Sequence, residues 1–150
     1  MECGQLLSEV DLFEDLPDEQ IAAIAEICEE VTHSKGEMIF DEGERAGKLY
    51  ILMEGRVSIR MRLTTRPQSI TVSVLNSAPQ SFGWSGVVAP YFYTAFALCE
   101  EDCRLLTLPG QKLIEVLRQE PVSGFEVMRR ISEVISSRLR NSRMVLLKSL

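Results

Sequence analysis

Two hydrophobic periods divide the chain. Near its start, Ile21, Ile24, Ala25 and Cys28 recur at helical spacing behind Pro17. This predicts an amphipathic helix over 18–30, with Asp18 and Glu19 at its positive end. Before it, apolar residues scattered among acids over 6–13 read as a short helical lead-in ending near Leu16-Pro17. From Val31 the period shortens: apolar runs over 37–40, 48–53, 56–63, 69–75, 95–99 and 104–108 alternate with glycine-bearing turns. Several short strands spaced this way predict an antiparallel β-barrel or double-stranded jelly roll. Residues 64–69 read as a hairpin tip, because Pro67 cannot sit in a central strand. After Pro109-Gly110 the helical period returns: Leu113, Ile114 and Leu117 share one face of a helix over 111–119, and from Val122 the chain is helical to its end. That last helix carries two apolar stripes, Met128, Ile135, Leu139 and Leu146, and Val127, Ile131 and Val134. One stripe can pack on the roll and the other on a partner. The expected architecture is mainly β with flanking helices in a single domain over 1–150: helices over 5–30, roll over 31–109, helices over 111–150.

Composition narrows the function classes. With 45% apolar residues in 150, the chain can bury one proper core. Its 16 basic and 22 acidic residues give a net charge of −6, which disfavours general attraction to nucleic acid or to an anionic membrane surface. No apolar run approaches the ~20 residues of a membrane span, and the acidic N-terminus is unlike a signal peptide, so no membrane partner and a cytoplasmic location are expected. Cys3, Cys28, Cys99 and Cys103 lack zinc-site spacing, and with one His in the chain neither a metal nor a catalytic site is expected. Cys28 reads as packed on its helix, Cys99 and Cys103 as packed beside the turn they flank. Arg56, Arg60, Arg62 and Arg66 form the one basic stretch, read as a solvated strand face, and His33 reads as an exposed turn residue.

The chemistry is concentrated in the fourteen residues Phe82 to Ala95, FGWSGVVAPYFYTA. Gly83, Ser85 and Gly86 make a small-residue turn leading into about one helical turn over Val87 and Val88, stopped by Pro90 and followed by a β-favouring Tyr-Phe-Tyr-Thr run. A helix stub of this kind presents unpaired backbone N–H groups to an anion.

This stretch resembles the phosphate-binding cassette of the cyclic nucleotide-binding domain family, which includes catabolite activator proteins, protein kinase A regulatory subunits and cyclic-nucleotide-gated channels. Phe82 and Gly83 match the opening of the family pattern, and Thr94 and Ala95 match its close. A second part of the resemblance lies in Lys35-Gly36, Ile39, Glu42-Gly43-Glu44, Leu49-Tyr50-Ile51 and Glu54-Gly55-Arg56-Val57, with Gly43 and Gly55 at sharp turns. Together they cover roughly residues 12 to 140. Two cassette positions depart from the pattern: the Glu that accepts from the ribose hydroxyl falls on Trp84, and the Arg that pairs with the cyclic phosphate falls on Tyr93; Pro79, near a position where the family often carries Gly, is a further departure. At roughly 1.5–3 kcal/mol for each charged hydrogen bond, losing both removes about two to four decades of affinity.

The resemblance therefore implies a non-enzymatic ligand-sensing or regulatory module with weak or lost cyclic AMP and cyclic GMP binding. Its pocket would comprise Phe82, Gly83, Trp84, Ser85, Gly86, Tyr93, Thr94 and Ala95. The backbone cradle still suits a cyclic nucleotide or another small anionic ligand. The alternative is a structural or protein-interaction module whose pocket is plugged by Trp84 and Tyr93. The resemblance also suggests a homodimer through the C-terminal helix, whose first stripe steps by seven, four and seven residues with Ser132 and Ser142 at intervening seam positions. In catabolite-activator relatives a helix-turn-helix domain follows that helix. This sequence stops at Leu150, so no specific DNA binding is expected of it.

Overall fold

In the computed structural model, which describes residues 3–148, the apolar runs form eight strands. They are β1 (Glu29–His33), β2 (Met38–Phe40), β3 (Lys48–Glu54), β4 (Val57–Arg62), β5 (Ser69–Leu75), β6 (Gln80–Phe82), β7 (Phe96–Cys99) and β8 (Cys103–Pro109). The strands pair antiparallel into two four-stranded sheets, ordered β1-β8-β3-β6 and β2-β7-β4-β5. Helices α1 (Cys3–Leu7) and α2 (Asp18–Ile27) precede this roll, and α3 (Gly110–Gln119) and α4 (Pro121–Lys148) follow it. The mainly β, helix-flanked architecture expected from the pattern is the one observed.

β3 and β8 explain how one small roll holds two cores. Both strands are apolar on both faces, the mark of a strand covered from two sides. Leu49, Ile51, Leu106 and Leu108 face the helices and join Leu7, Phe13, Ile24, Leu113 and Ile131 in one buried cluster. The alternate residues Leu52, Cys103 and Leu105 face inward and join Phe40, Val57, Phe82 and Tyr93 in a second cluster between the sheets. Gly43 and Gly55, at φ 81° and 102°, make the turns their spacing indicated.

Several boundaries differ from expectation. α2 ends at Ile27, not near residue 30, because Glu29 and Glu30 pair with Thr107 and Leu106 of β8 as part of β1. β1 carries a single aliphatic residue, Val31, so it has no period of its own; its extended state comes from the β8 ladder and from Arg104, which bonds Glu30 at 3.2 Å. β6 is three residues of mixed polarity, held against Tyr50–Leu52 of β3. The lead-in over 6–13 splits into α1 and a 3₁₀ turn over Asp11–Phe13. His33 ends β1, its Nδ1 at 2.9 Å from Glu37 Oε2.

The basic stretch is a solvated, paired face: Arg60 lies 3.7 Å from Glu100, Arg56 3.7 Å from Glu101, and Arg62 bonds Asp41 while its guanidinium sits over the Phe96 ring. All four cysteines are free thiols. Burial, then neighbouring Cys103, pushes the Cys99 thiol up to about 12. Among the described residues no helix is long and apolar enough to cross a membrane, and no group of three His, Cys, Asp or Glu could hold a metal ion.

α4 places its second stripe inward, with Val127 and Ile131 fully buried. Of the proposed seam, Met128 and Ile135 already pack on the helical core, whereas Leu139 is 67% exposed.

Candidate functional site

The turn after β6 is tighter than its sequence suggested. Gly83 sits in the left-handed region at φ 75°, and a single 3₁₀ turn covers Trp84–Gly86 in place of the helical turn expected over Val87 and Val88. The Gly86, Val87 and Val88 N–H groups all donate within it, to Gly83 O at 3.0 Å and to Trp84 O at 2.9 and 3.1 Å. The anion cradle expected from a helix stub is thus largely closed by its own hydrogen bonds; the N–H groups that remain are those before Gly86.

Close packing explains this shape. A Cβ on Gly86 would lie 2.4 Å from the Lys48 carbonyl, and one on Gly110 would lie 1.7 Å from Gly86 O, so β3 and the start of α3 press on the turn from two directions. The expected Tyr-Phe-Tyr-Thr strand is likewise not a ladder strand. Tyr91 adopts φ 64°, Phe92 makes an isolated bridge with Arg45, and Tyr93 exchanges backbone bonds with Gly43 and Glu44. Regular pairing begins only at Phe96.

Seven of the eight candidate residues line one pocket: Phe82, Gly83, Trp84, Ser85, Tyr93, Thr94 and Ala95. Gly86 does not; it is buried beneath them against the β3 backbone. The cavity is only about 50 Å³, well short of the roughly 300 Å³ at which small-molecule sites begin. Aromatic rings occupy the interior. Tyr93 stacks on Phe40 with centroids 3.8 Å apart at 12°, and Phe40 in turn meets Tyr50 at 5.7 Å and Phe82 at 6.1 Å. The Tyr93 hydroxyl donates to Lys48 O at 2.8 Å and so points into the protein. Burial, then the neighbouring Tyr50, raises the Tyr93 phenol well above its ordinary value, so it stays protonated and uncharged.

The structure adds residues that the sequence pattern had not assigned to the pocket. β2, β4 and β5 contribute Phe40, Ile59, Val72 and Ser73 to the wall, and α4 contributes Arg138 and Ser142. A signal for Arg138 was available: the inward stripe Val127, Ile131, Val134 continues at helical spacing onto Arg138 and Asn141. Asn141 Nδ2 donates to Val72 O at 3.0 Å, and Arg138 Nη2 donates to Ser81 O at 2.8 Å, tying α4 across β5 and β6. Arg138 Nη1 is buried without a hydrogen-bond partner.

Residues 30–120 match the cyclic nucleotide-binding domain family. A CRP-like cAMP-activated global transcriptional regulator of Mycobacterium tuberculosis is 22% identical over 138 residues, covering 92% of this chain. The chain spans 59% of that regulator's length. A crystal structure described as a cyclic nucleotide-binding protein from Geobacter metallireducens is 29% identical, with a TM-score of 0.79 over 93% of this chain and 99% of that one. A cyclic nucleotide-binding domain from Methylobacillus flagellatus shares the fold at 18% identity, with a TM-score of 0.80 over 99% of this chain and 83% of that one. With the jelly roll, the glycine turns and a match over more than half its length, this chain belongs to the cyclic nucleotide-binding domain family.

Proposed function

We propose that this protein is a non-enzymatic regulatory module in which cyclic AMP and cyclic GMP binding is weak or lost. The observation that carries this reading is the Phe40–Tyr93 stack, which fills the space behind the cassette turn and leaves about 50 Å³. Tyr93 stands where the family pattern has an Arg, and its one donor is directed away from the pocket to Lys48 O. Trp84 stands where the pattern has a Glu and has no acceptor to offer a ribose hydroxyl. Both the missing charge-assisted bonds and the missing volume weigh against a cyclic nucleotide. Calorimetric titration with cyclic AMP and cyclic GMP tests the reading. Binding no tighter than roughly tens of micromolar is expected. A nanomolar affinity would refute it.

The same reading includes a homodimer through α4. Leu139 is 67% exposed, Met144 57% and Leu147 60%, an apolar end that a second copy would cover. Four free cysteines and raised thiol pKa values at Cys28 and Cys99 fit a reducing, cytoplasmic setting.

A further inference from the structure

Arg138 is the least explained charge in the molecule. It projects from α4 onto the cassette pocket and is largely withdrawn from water, which lowers its guanidinium pKa. One of its nitrogens is held by Ser81 O, and another, Nη1, is buried with no partner. Among the described residues it makes no ion pair, although five other arginines do. A buried cationic donor left unpaired costs more than almost any other polar group, and a charge-assisted bond to a carboxylate or phosphate would relieve it.

Arg138 borders three spaces: a cleft of about 390 Å³ on the Ser81 side, whose wall also carries Asp11, Arg130 and Glu133, and two on the cassette side that share lining residues. The small pocket beside it, about 50 Å³, has room for roughly three waters or one compact anionic group. A groove of about 940 Å³ runs between α4 and the β4–β5 hairpin, and Trp84, Thr94, Arg138 and Ser142 line both spaces. Beyond those four residues the groove is mainly apolar, with Met61, Leu63 and Ile70 on the hairpin side and Leu139 and Leu146 on the helix side. The further charges on its wall, Arg66 and Arg143, are both positive.

We propose that this composite site binds an amphipathic small-molecule anion, its carboxylate or phosphate head paired with Arg138 and its apolar body lying along the groove. The proposal rests on the regulatory reading given above and replaces the cyclic nucleotide with a ligand of different shape. Charge complementarity favours this occupant over a second copy at the deep end. The α4 seam of a second copy, Met128, Ser132, Ile135, Leu139, Ser142 and Leu146, carries no carboxylate, so it could roof the groove but would leave Arg138 unpaired.

Trp84 is the single tryptophan and lies where pocket and groove meet, so its emission reads the site directly. Decanoate, decyl phosphate and decanol, each kept below its aggregation limit, are titrated against the intact protein while Trp84 fluorescence and light scattering are recorded. The proposal expects saturable binding of at least one anion, with decanol weaker by roughly tenfold or more. Whichever head group binds more tightly identifies the carboxylate or the phosphate as the one preferred. Arg138→Gln should lose a similar factor, and Arg138→Lys should recover part of it. Decanol binding as tightly as decanoate in the wild type would overturn the assignment, and this arm does not depend on any variant folding. So would unchanged affinity in Arg138→Gln, or saturation that disappears at concentrations where the scattering mass doubles. Tight cyclic AMP binding in a parallel titration would refute the nucleotide reading separately from this one.

Discussion

Truncating Tyr93 tests whether the cassette pocket is closed from within. The side chain is 6% exposed, stacks on Phe40 at 3.8 Å and bonds Lys48 O at 2.8 Å. Tyr93→Phe keeps the stack and removes the hydroxyl, leaving the Lys48 carbonyl short of a donor at a cost of about 1–3 kcal/mol. Tyr93→Ala also removes the ring and leaves a cavity against Phe40, a change that costs about 3–5 kcal/mol for a buried aromatic. For a chain of this size the larger value corresponds to a fall in Tm of roughly 6–20 °C. Thermal and urea unfolding followed by circular dichroism measures both variants. The cavity in Tyr93→Ala adjoins the pocket, so added phenol should bind there and return part of the lost stability. An alanine variant within about 1 kcal/mol of the wild type, or one indifferent to phenol, would show that the ring does not plug the site.

Three further outcomes are expected. Gly110→Ala, whose Cβ would meet Gly86 O at 1.7 Å, should destabilise by about 3 kcal/mol and displace the cassette turn, seen as a shift in Trp84 emission. Leu139→Glu should bring the scattering mass from dimer toward monomer, and a wild type that stays monomeric at high concentration would sink the proposed seam. The Asp41 carboxyl is held below its ordinary value, first by the Arg62 hydrogen bond and then by the Glu42 N–H. A lowered folded-state pKa means stability that is fully present above the unfolded value, about 4, and lost as pH falls below that through the lower folded-state value. Asp41→Asn should therefore show a smaller drop in Tm on acidification than the wild type.

The scaffold was legible in the sequence because its strands and helices carry their own periods. β3 and β8 read as apolar runs, α2 and α3 as helical stripes, and Gly43 and Gly55 as turns that need positive φ. What was not legible had no local period. β1 is extended because β8 lies beside it, and β6 because β3 does. The cassette turn is a single 3₁₀ turn because Lys48 and Gly110, distant in sequence, crowd Gly86. That a Trp and a Tyr differ from a Glu and an Arg in what they can donate and accept was likewise legible, since it follows from side-chain chemistry alone. Where Tyr93 would point was a tertiary matter: its ring lies in the second core because Phe40, more than fifty residues away along the chain, offers a flat face there. Arg138 shows the same division. Its identity and helical phase were written in the chain, but only the packing of α4 across β5 and β6 buries it and brings it to the pocket wall. Side-chain chemistry and short-range period are properties of a segment; burial and juxtaposition are set by distant segments at once, and those two decided the site.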